Sequence, residues 1–216
     1  MKITNPSAAY FEAVASQWDE LRSGYFSEAV RQAAIQEAHL IPEMIVADVG
    51  AGTGFIASGL APLVRQVYVF DGSLAMLKVA FQNLRSFSNI DLQCADGLFL
   101  PLLDGKLDAV FANMYLHHCP NPLAAVQEMV RVLKPGGRLV ITDMDSHTHE
   151  WLKREMADVW LGFERSQVST WLEQAGLVNV SIDCTDQCCQ ANSRNQADER
   201  ADISIFLAMG VRRKSA

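Results

Sequence analysis

The chain has 216 residues, of which 50% are hydrophobic and 20% charged. That is enough apolar material for one sizeable core, and it excludes a chain that stays disordered. The 25 acidic against 18 basic residues, a net charge of −7, argue against a nucleic-acid binder.

The longest stretch free of Asp, Glu, Lys and Arg runs from Ala109 to Gln127. It carries prolines, asparagines and histidines, so no membrane-spanning helix is expected. Polar Thr4-Asn5-Pro6 follows Met1-Lys2, which is not an export signal. With no such signal, the five cysteines are expected to be reduced thiols in a cytoplasm.

In chain order, Ser7 to Leu40 reads as two helices broken near Ser23-Gly24. From Met44 to Asp143, short apolar runs alternate with helical lengths. Met44–Ala47 ends at Asp48, Gln66–Phe70 at Asp71, Asn89–Cys94 near Asp96, Leu107–Ala112 at Asn113, and Arg138–Thr142 at Asp143. Continuous apolar runs separated by helices predict an α/β fold with a mostly parallel sheet buried on both faces. Ser73 is set to cap a helix bearing Leu74, Leu77, Lys78 and Phe81. Asn121-Pro122 reads as an N-cap with proline in the first turn, ahead of inward-facing Leu123, Val126, Met129, Val130 and Leu133. Pro135-Gly136-Gly137 is expected to turn the chain into the fifth strand.

Glu150–Leu161 and Ser166–Ala175 read as helices, the second stopped by Gly176. Leu177–Ile182 and Ile203–Met209 read as a late strand pair forming an antiparallel edge. The polar run from Cys184 to Asp202 is expected to be a loop between them. Arg212-Arg213-Lys214 reads as a solvated tail. One domain accounts for the chain: a helical lid over 1–43, a core over 44–143, and acceptor-side elements over 144–216.

The sharpest signal is Asp48-Val49-Gly50-Ala51-Gly52-Thr53-Gly54, between the first strand and a helix. Its glycines allow a tight turn and close approach of a ligand. An acid at the end of the second strand, Asp71, suits a ribose diol. The loop lacks the third glycine of a dinucleotide fingerprint, with Phe55 in its place. No Gly-Lys-Ser/Thr triphosphate loop occurs. S-adenosylmethionine carries an ammonium, a diol and an adenine but no phosphate, and Asp48, Asp71 and Asp96 offer acceptors in that order.

These residues resemble the class I S-adenosylmethionine-dependent methyltransferases, and most of all their quinone-biosynthesis and arsenic-regulator-associated members. The matching stretches are Val46–Gly54, Asp71–Leu77, Ala95–Gly97, Asn113–His118 and Leu133–Leu139, within residues 44 to 143. The resemblance implies a Rossmann-like doubly wound sheet with helices on both faces. It places Asp48, Gly50, Ala51, Gly52 and Gly54 around the methionine part. Asp71 would hold the ribose, flanked by Gly72, Ser73 and Met76, and Asp96 the adenine amino group, beside Gly97 and Leu98. Asn113, Met114 and Leu116 would line the end of the fourth strand. Tyr10, Phe11, Trp18 and Tyr25 lie at roughly helical spacing on the lid segment, either packing it to the core or, through Tyr10, Trp18 or Tyr25, touching cofactor or acceptor. Pro135-Gly136-Gly137 has no chemical role in the family.

Methyl transfer needs a base only if the acceptor arrives protonated, and His117 is the candidate. Asp143, Asp145, His147 and His149 have metal-ligand letters, but a polar loop has the same ones, and no metal is assigned. Trp151, Trp160 and Phe163 are expected to pack the acceptor-side cap. Cys184, Cys188 and Cys189 leave open an arsenite or thiol acceptor, against ordinary reduced thiols. The expected partner is a small-molecule acceptor, with no nucleic acid; monomer or homodimer stays open. A dinucleotide oxidoreductase and a non-catalytic cofactor-binding module remain the alternatives.

Overall fold

The computed structural model describes residues 6–195 and 198–214. Met1–Asn5, on which the export-signal reading rests, lies outside the described residues. The elements in order are helices α1 (Pro6–Val14), α2 (Trp18–Tyr25) and α3 (Glu28–Ala38), strand β1 (Ile45–Val49), α4 (Phe55–Leu60), β2 (Gln66–Asp71), α5 (Leu74–Leu84), β3 (Ile90–Cys94), β4 (Leu107–Asn113), α6 (Pro122–Val132), β5 (Leu133–Met144), α7 (Trp151–Glu155), α8 (Arg165–Gln174), β6 (Leu177–Asn192) and β7 (Arg200–Arg212). Ala15–Gln17 and Leu116–His118 are single 3-10 turns.

The sheet order is β3-β2-β1-β4-β5-β7-β6. The first five strands are parallel, and β7 runs antiparallel between β5 and β6. Both faces are covered, which is why the strands read as continuous apolar runs. Val46, Val69 and Val140 point to a core shared with Val30, Leu60 and Leu77, on α3, α4 and α5. Their neighbours Ala47, Phe70 and Leu139 point to the opposite core, against Met129 of α6 and Leu172 of α8.

The expected caps form. Ser73 Oγ accepts from the Met76 amide at 3.1 Å, and Asn121 Oδ1 from the Ala124 amide at 3.1 Å. Asn121→Ala should cost about 1 kcal/mol in a denaturant titration. The buried face of α5 is Met76, Leu77, Ala80 and Leu84; Leu74 and Phe81, expected on the same stripe as Leu77, are exposed. Leu123 of α6 is likewise only half-buried.

Several boundaries depart from expectation. The N-terminal segment holds three helices: Gly24 lies within α2, and the break falls at extended Phe26, followed by the capping residue Ser27. The Pro135-Gly136-Gly137 turn is a loop-out within β5, where pairing jumps from Leu107↔Leu133 to Ala109↔Arg138 and Gly136 takes φ +85°. The helix expected from Glu150 stops at Glu155, because Ala157 turns left-handed at φ +58°. The expected loop from Cys184 to Asp202 is largely strand: β6 and β7 pair from Leu177↔Arg212 to Asn192↔Arg200, with a bulge between Cys184 and Cys188. Arg212 is no solvated tail, since its Nη1 donates to the carbonyls of Arg131 and Leu133 at the end of α6. Such a cation satisfies carbonyls that a helix leaves unpaired.

Candidate active site

Strand order reverses between β1 and β4, and a crevice opens at their carboxyl ends. It is a cleft of about 600 Å³, within the range of small-molecule sites. Gly50, Ala51 and Gly52 line it from the turn after β1, and Asp71, Gly72, Ser73 and Met76 from the start of α5. Cys94, Asp96 and Gly97 line the end beyond β3, and Asn113, Met114 and Tyr115 the end beyond β4. Phe11, Trp18 and Arg22 cover it from the N-terminal helices.

The glycines answer to a specific neighbour. Gly50 has φ +68°, and a Cβ there would stand 2.2 Å from Tyr115 Cδ2. A Cβ on Gly97 would stand 2.0 Å from Tyr115 Oη. Tyr115 therefore lies between both turns, and their smallness admits its ring. Gly97→Ala should displace Tyr115 and lower the melting temperature, and Gly97→Ala/Tyr115→Ala should recover part of that loss; thermal unfolding of both variants checks this.

Asp71 joins the two turns directly. Its Oδ2 accepts from the Gly52 amide at 2.7 Å and its Oδ1 from the Ser73 amide at 2.8 Å. Burial raises its pKa, and the two amides oppose that shift. The lid is latched to the same place. Glu12 Oε1 accepts from Ser73 Oγ at 2.8 Å and from the Ala75 amide at 3.3 Å. Asp19 accepts from Thr53 Oγ1 at 2.6 Å and from Asn83 Nδ2 at 2.8 Å. Neither acid carried a sequence signal, because a lone carboxylate on a surface helix has no distinguishing spacing.

Some expected cleft residues sit elsewhere. Asp48 lies beneath the glycine turn, where its Oδ2 accepts from the Ala57 amide at 2.9 Å and burial pushes its pKa up to about 7. It fixes the first turn of α4 and does not line the cleft. Gly54, at φ +90°, packs under Leu84 as the N-cap of α4. Leu98 packs on the core, its amide donating to Asp96 Oδ1 at 3.0 Å. Leu116 is wholly buried in that core. Tyr10 and Tyr25 face a different cavity.

That second cavity is a chamber of about 50 Å³ adjoining the cleft. Trp18, Phe26, Met114 and His118 line both. Met114, at the junction, takes φ +50°, a left-handed conformation that a non-glycine residue adopts only under local constraint. Tyr10, Tyr25, Met144, Met156 and Cys189 supply apolar walls, and His117 and Asp158 supply polar groups.

His117 Nδ1 meets Asp143 Oδ1 at 2.6 Å. Asp143 is fully buried, and its carboxylate also accepts from the amides of Leu116, His117 and Met144. Burial disfavours charge on His117, but the Asp143 carboxylate outweighs it, so the pKa is raised. His118 is held well below its usual value by burial and by His117. The 157–160 loop is tied in: the amides of Val159 and Trp160 donate to the His117 carbonyl at 2.9 and 3.0 Å.

The suspected metal ligands do not converge. Asp143 serves His117, Asp145 pairs with Arg165, and the His147 ring lies tilted beside His149. Among the described residues, the group with ligand atoms within 4.8 Å of one another is His117, His118 and Asp158. Trp151 and Phe163 are buried in the two opposite cores, while Trp160 is partly exposed and donates to the Cys119 carbonyl.

A methyltransferase-domain family model matches residues 47–141. The demethylmenaquinone methyltransferase of Renibacterium salmoninarum is 34% identical over 144 residues, 65% of this chain and 60% of that protein. The malonyl-[acyl-carrier protein] O-methyltransferase of Marinomonas sp. is 30% identical over 168 residues, 74% of this chain and 60% of that protein. The chain thus spans about 60% of the length of these relatives. The YcgJ protein of Bacillus subtilis has a similar fold, with a TM-score of 0.72 at 19% identity over 88% of this chain and 100% of that one.

Residues 47–141 carry a methyltransferase domain.

The methyltransferase match covers the residues of the glycine turn, Asp71, Asp96 and Asn113. Most of the chamber lies outside it: Tyr10, Trp18, Tyr25, Met156, Asp158 and Cys189 come from flanking segments. The part of the chain shared with that family holds most of the cleft, and the chamber draws on the flanking segments. Among the described residues, no helix is long and apolar enough to cross a membrane.

Proposed function

We propose that the protein transfers a methyl group from S-adenosylmethionine to a small-molecule acceptor held in the chamber. The observation that carries this reading is the adjacency of an acid-lined nucleoside-sized cleft to a small apolar chamber across Met114 and His118.

The residues fit that cofactor better than a dinucleotide. Phe55, buried at the third-glycine position, has the Arg22 guanidinium 4.0 Å above its ring. Asp71, Asp96 and Glu12 make the neighbouring surface acidic, which opposes a pyrophosphate. When bound, the cofactor supplies a methyl carbon activated by a sulfonium leaving group. Asp71 is positioned for the ribose hydroxyls and Asp96 for the adenine amino group. Arg22, whose buried Nε has no hydrogen-bond partner among the described residues, supplies a cation for the methionine carboxylate.

The chain's remaining tasks are orientation, exclusion of water and proton removal. The lid latches at Glu12 and Asp19 close the cleft. His117 is oriented by Asp143, and its Nε2 accepts a proton from an acceptor that arrives protonated. The metalloid or thiol alternative loses support, because burial pushes the Cys119 and Cys189 thiols up to about 12 and Cys184 and Cys188 are exposed outside the chamber. Thiolates are the soft ligands, and buried thiols at such values stay protonated.

Labelled methyl-S-adenosylmethionine incubated with the protein and a small-molecule extract tests the reading. Label should enter a small molecule only when the protein is present. Cofactor binding without transfer to any fraction would favour a non-catalytic module.

A further inference from the structure

Asp158 is a nearly buried carboxylate of the chamber wall. Its side chain is only 3% exposed. His117 Nε2 and His118 Nδ1 each stand 3.9 Å from Asp158 Oδ1, beyond hydrogen-bonding reach. No described residue donates to this carboxylate. A buried, unpartnered carboxylate is costly, and such groups persist where a ligand completes them.

The surroundings define what that ligand is. Asp143 already neutralises any charge on His117. His118 stays uncharged. Arg194 is exposed, and its side chain is hydrogen-bonded to Tyr25. Among the described residues, no side-chain cation lies within hydrogen-bonding distance of Asp158. The same cavity is lined by Tyr10, Trp18 and Tyr25, and aromatic rings attract cations. A carboxylate and aromatic rings lining one cavity are complementary to an ammonium group. The chamber's 50 Å³ holds only a few water-sized groups, at roughly 10–15 Å³ each. That suits a small amine head.

We propose that the methyl acceptor is a small primary or secondary amine, bound as its ammonium form between Asp158 and the Tyr10–Trp18–Tyr25 rings. This rests on the methyltransferase reading of the cleft. The ammonium gives one proton to His117 Nε2 and becomes a neutral amine. Its lone pair forms the nitrogen–carbon bond as the carbon–sulfur bond breaks. The bonding pair stays on sulfur, and the product is the methylated ammonium. His117 then releases its proton to water.

The test uses chelator-treated protein loaded with S-adenosylhomocysteine, so that an ion bridging His117, His118 and Asp158 cannot supply the result. Ethylamine, propylamine and benzylamine are titrated at pH 7.5 against ethanol, propanol and benzyl alcohol. At least one amine should bind tenfold or more tightly than its alcohol, and Asp158→Asn should abolish that preference while leaving S-adenosylhomocysteine affinity unchanged. Equal binding of amines and alcohols, absence of binding by every amine, or a preference that survives Asp158→Asn would overturn the proposal. Loss of S-adenosylhomocysteine binding by the wild-type protein would instead overturn the methyltransferase reading itself.

Discussion

Asp71→Ala should lower the affinity for S-adenosylhomocysteine by about 100-fold or more, measured by calorimetry. Two hydrogen bonds from ribose hydroxyls to a carboxylate contribute about 1.5–3 kcal/mol each, and the low end of their sum is already about 3 kcal/mol. The same carboxylate holds the Gly52 and Ser73 amides, so the turn would also lose its alignment. Asp71→Asn keeps the size but loses the charge and one accepting oxygen, and should fall between the two. Circular dichroism of both variants should match the wild type, because the sheet does not depend on this side chain. An Asp71→Ala affinity within threefold of the wild type would remove Asp71 from the cofactor site.

His117→Gln should reduce kcat by about 10²–10⁴, the usual contribution of a general base, with S-adenosylhomocysteine affinity within about threefold. The pH dependence has a definite sign. The Asp143 carboxylate raises the His117 pKa above 6.5 despite burial. Only neutral imidazole accepts a proton, so kcat/KM should fall as pH drops through that raised value. Asp158, pushed up to about 6 by burial, adds a second loss at lower pH. Asp143→Asn removes the stabilising carboxylate, so its acid limb should move to lower pH while kcat falls through lost orientation. A profile flat from pH 5.5 to 8.5 would exclude His117 as the base.

Local signals made the cleft legible. The glycine turn, the strand-ending Asp71 and Asp96, and the capping Ser73 each sit where a strand or helix must end, so their positions follow from neighbouring residues. The chamber was not legible. Asp143, Met156, Asp158 and Cys189 come from a strand, a short helix end, a loop and an edge strand, and only folding brings them to His117. Asp158 was hidden inside a run that reads as helix. The left-handed Ala157 breaks that run and carries the carboxylate into the chamber region. The β6–β7 hairpin was misread for a related reason. In β6, Cys189 and Ala191 are buried while Cys188, Gln190 and Asn192 are exposed. An edge strand with one polar face has the composition of a loop. Asp48 is the opposite case: its charge suggested a ligand contact, but it serves the Ala57 amide beneath the turn.

The most direct measurement is a calorimetric titration of the wild-type protein with S-adenosylhomocysteine and, separately, with NADH. One-site binding of S-adenosylhomocysteine, with no heat from NADH, is the expected result. Binding of NADH, or of neither ligand, would contradict the assignment of the Gly50–Gly52 turn, Asp71 and Asp96 to a sulfonium nucleoside.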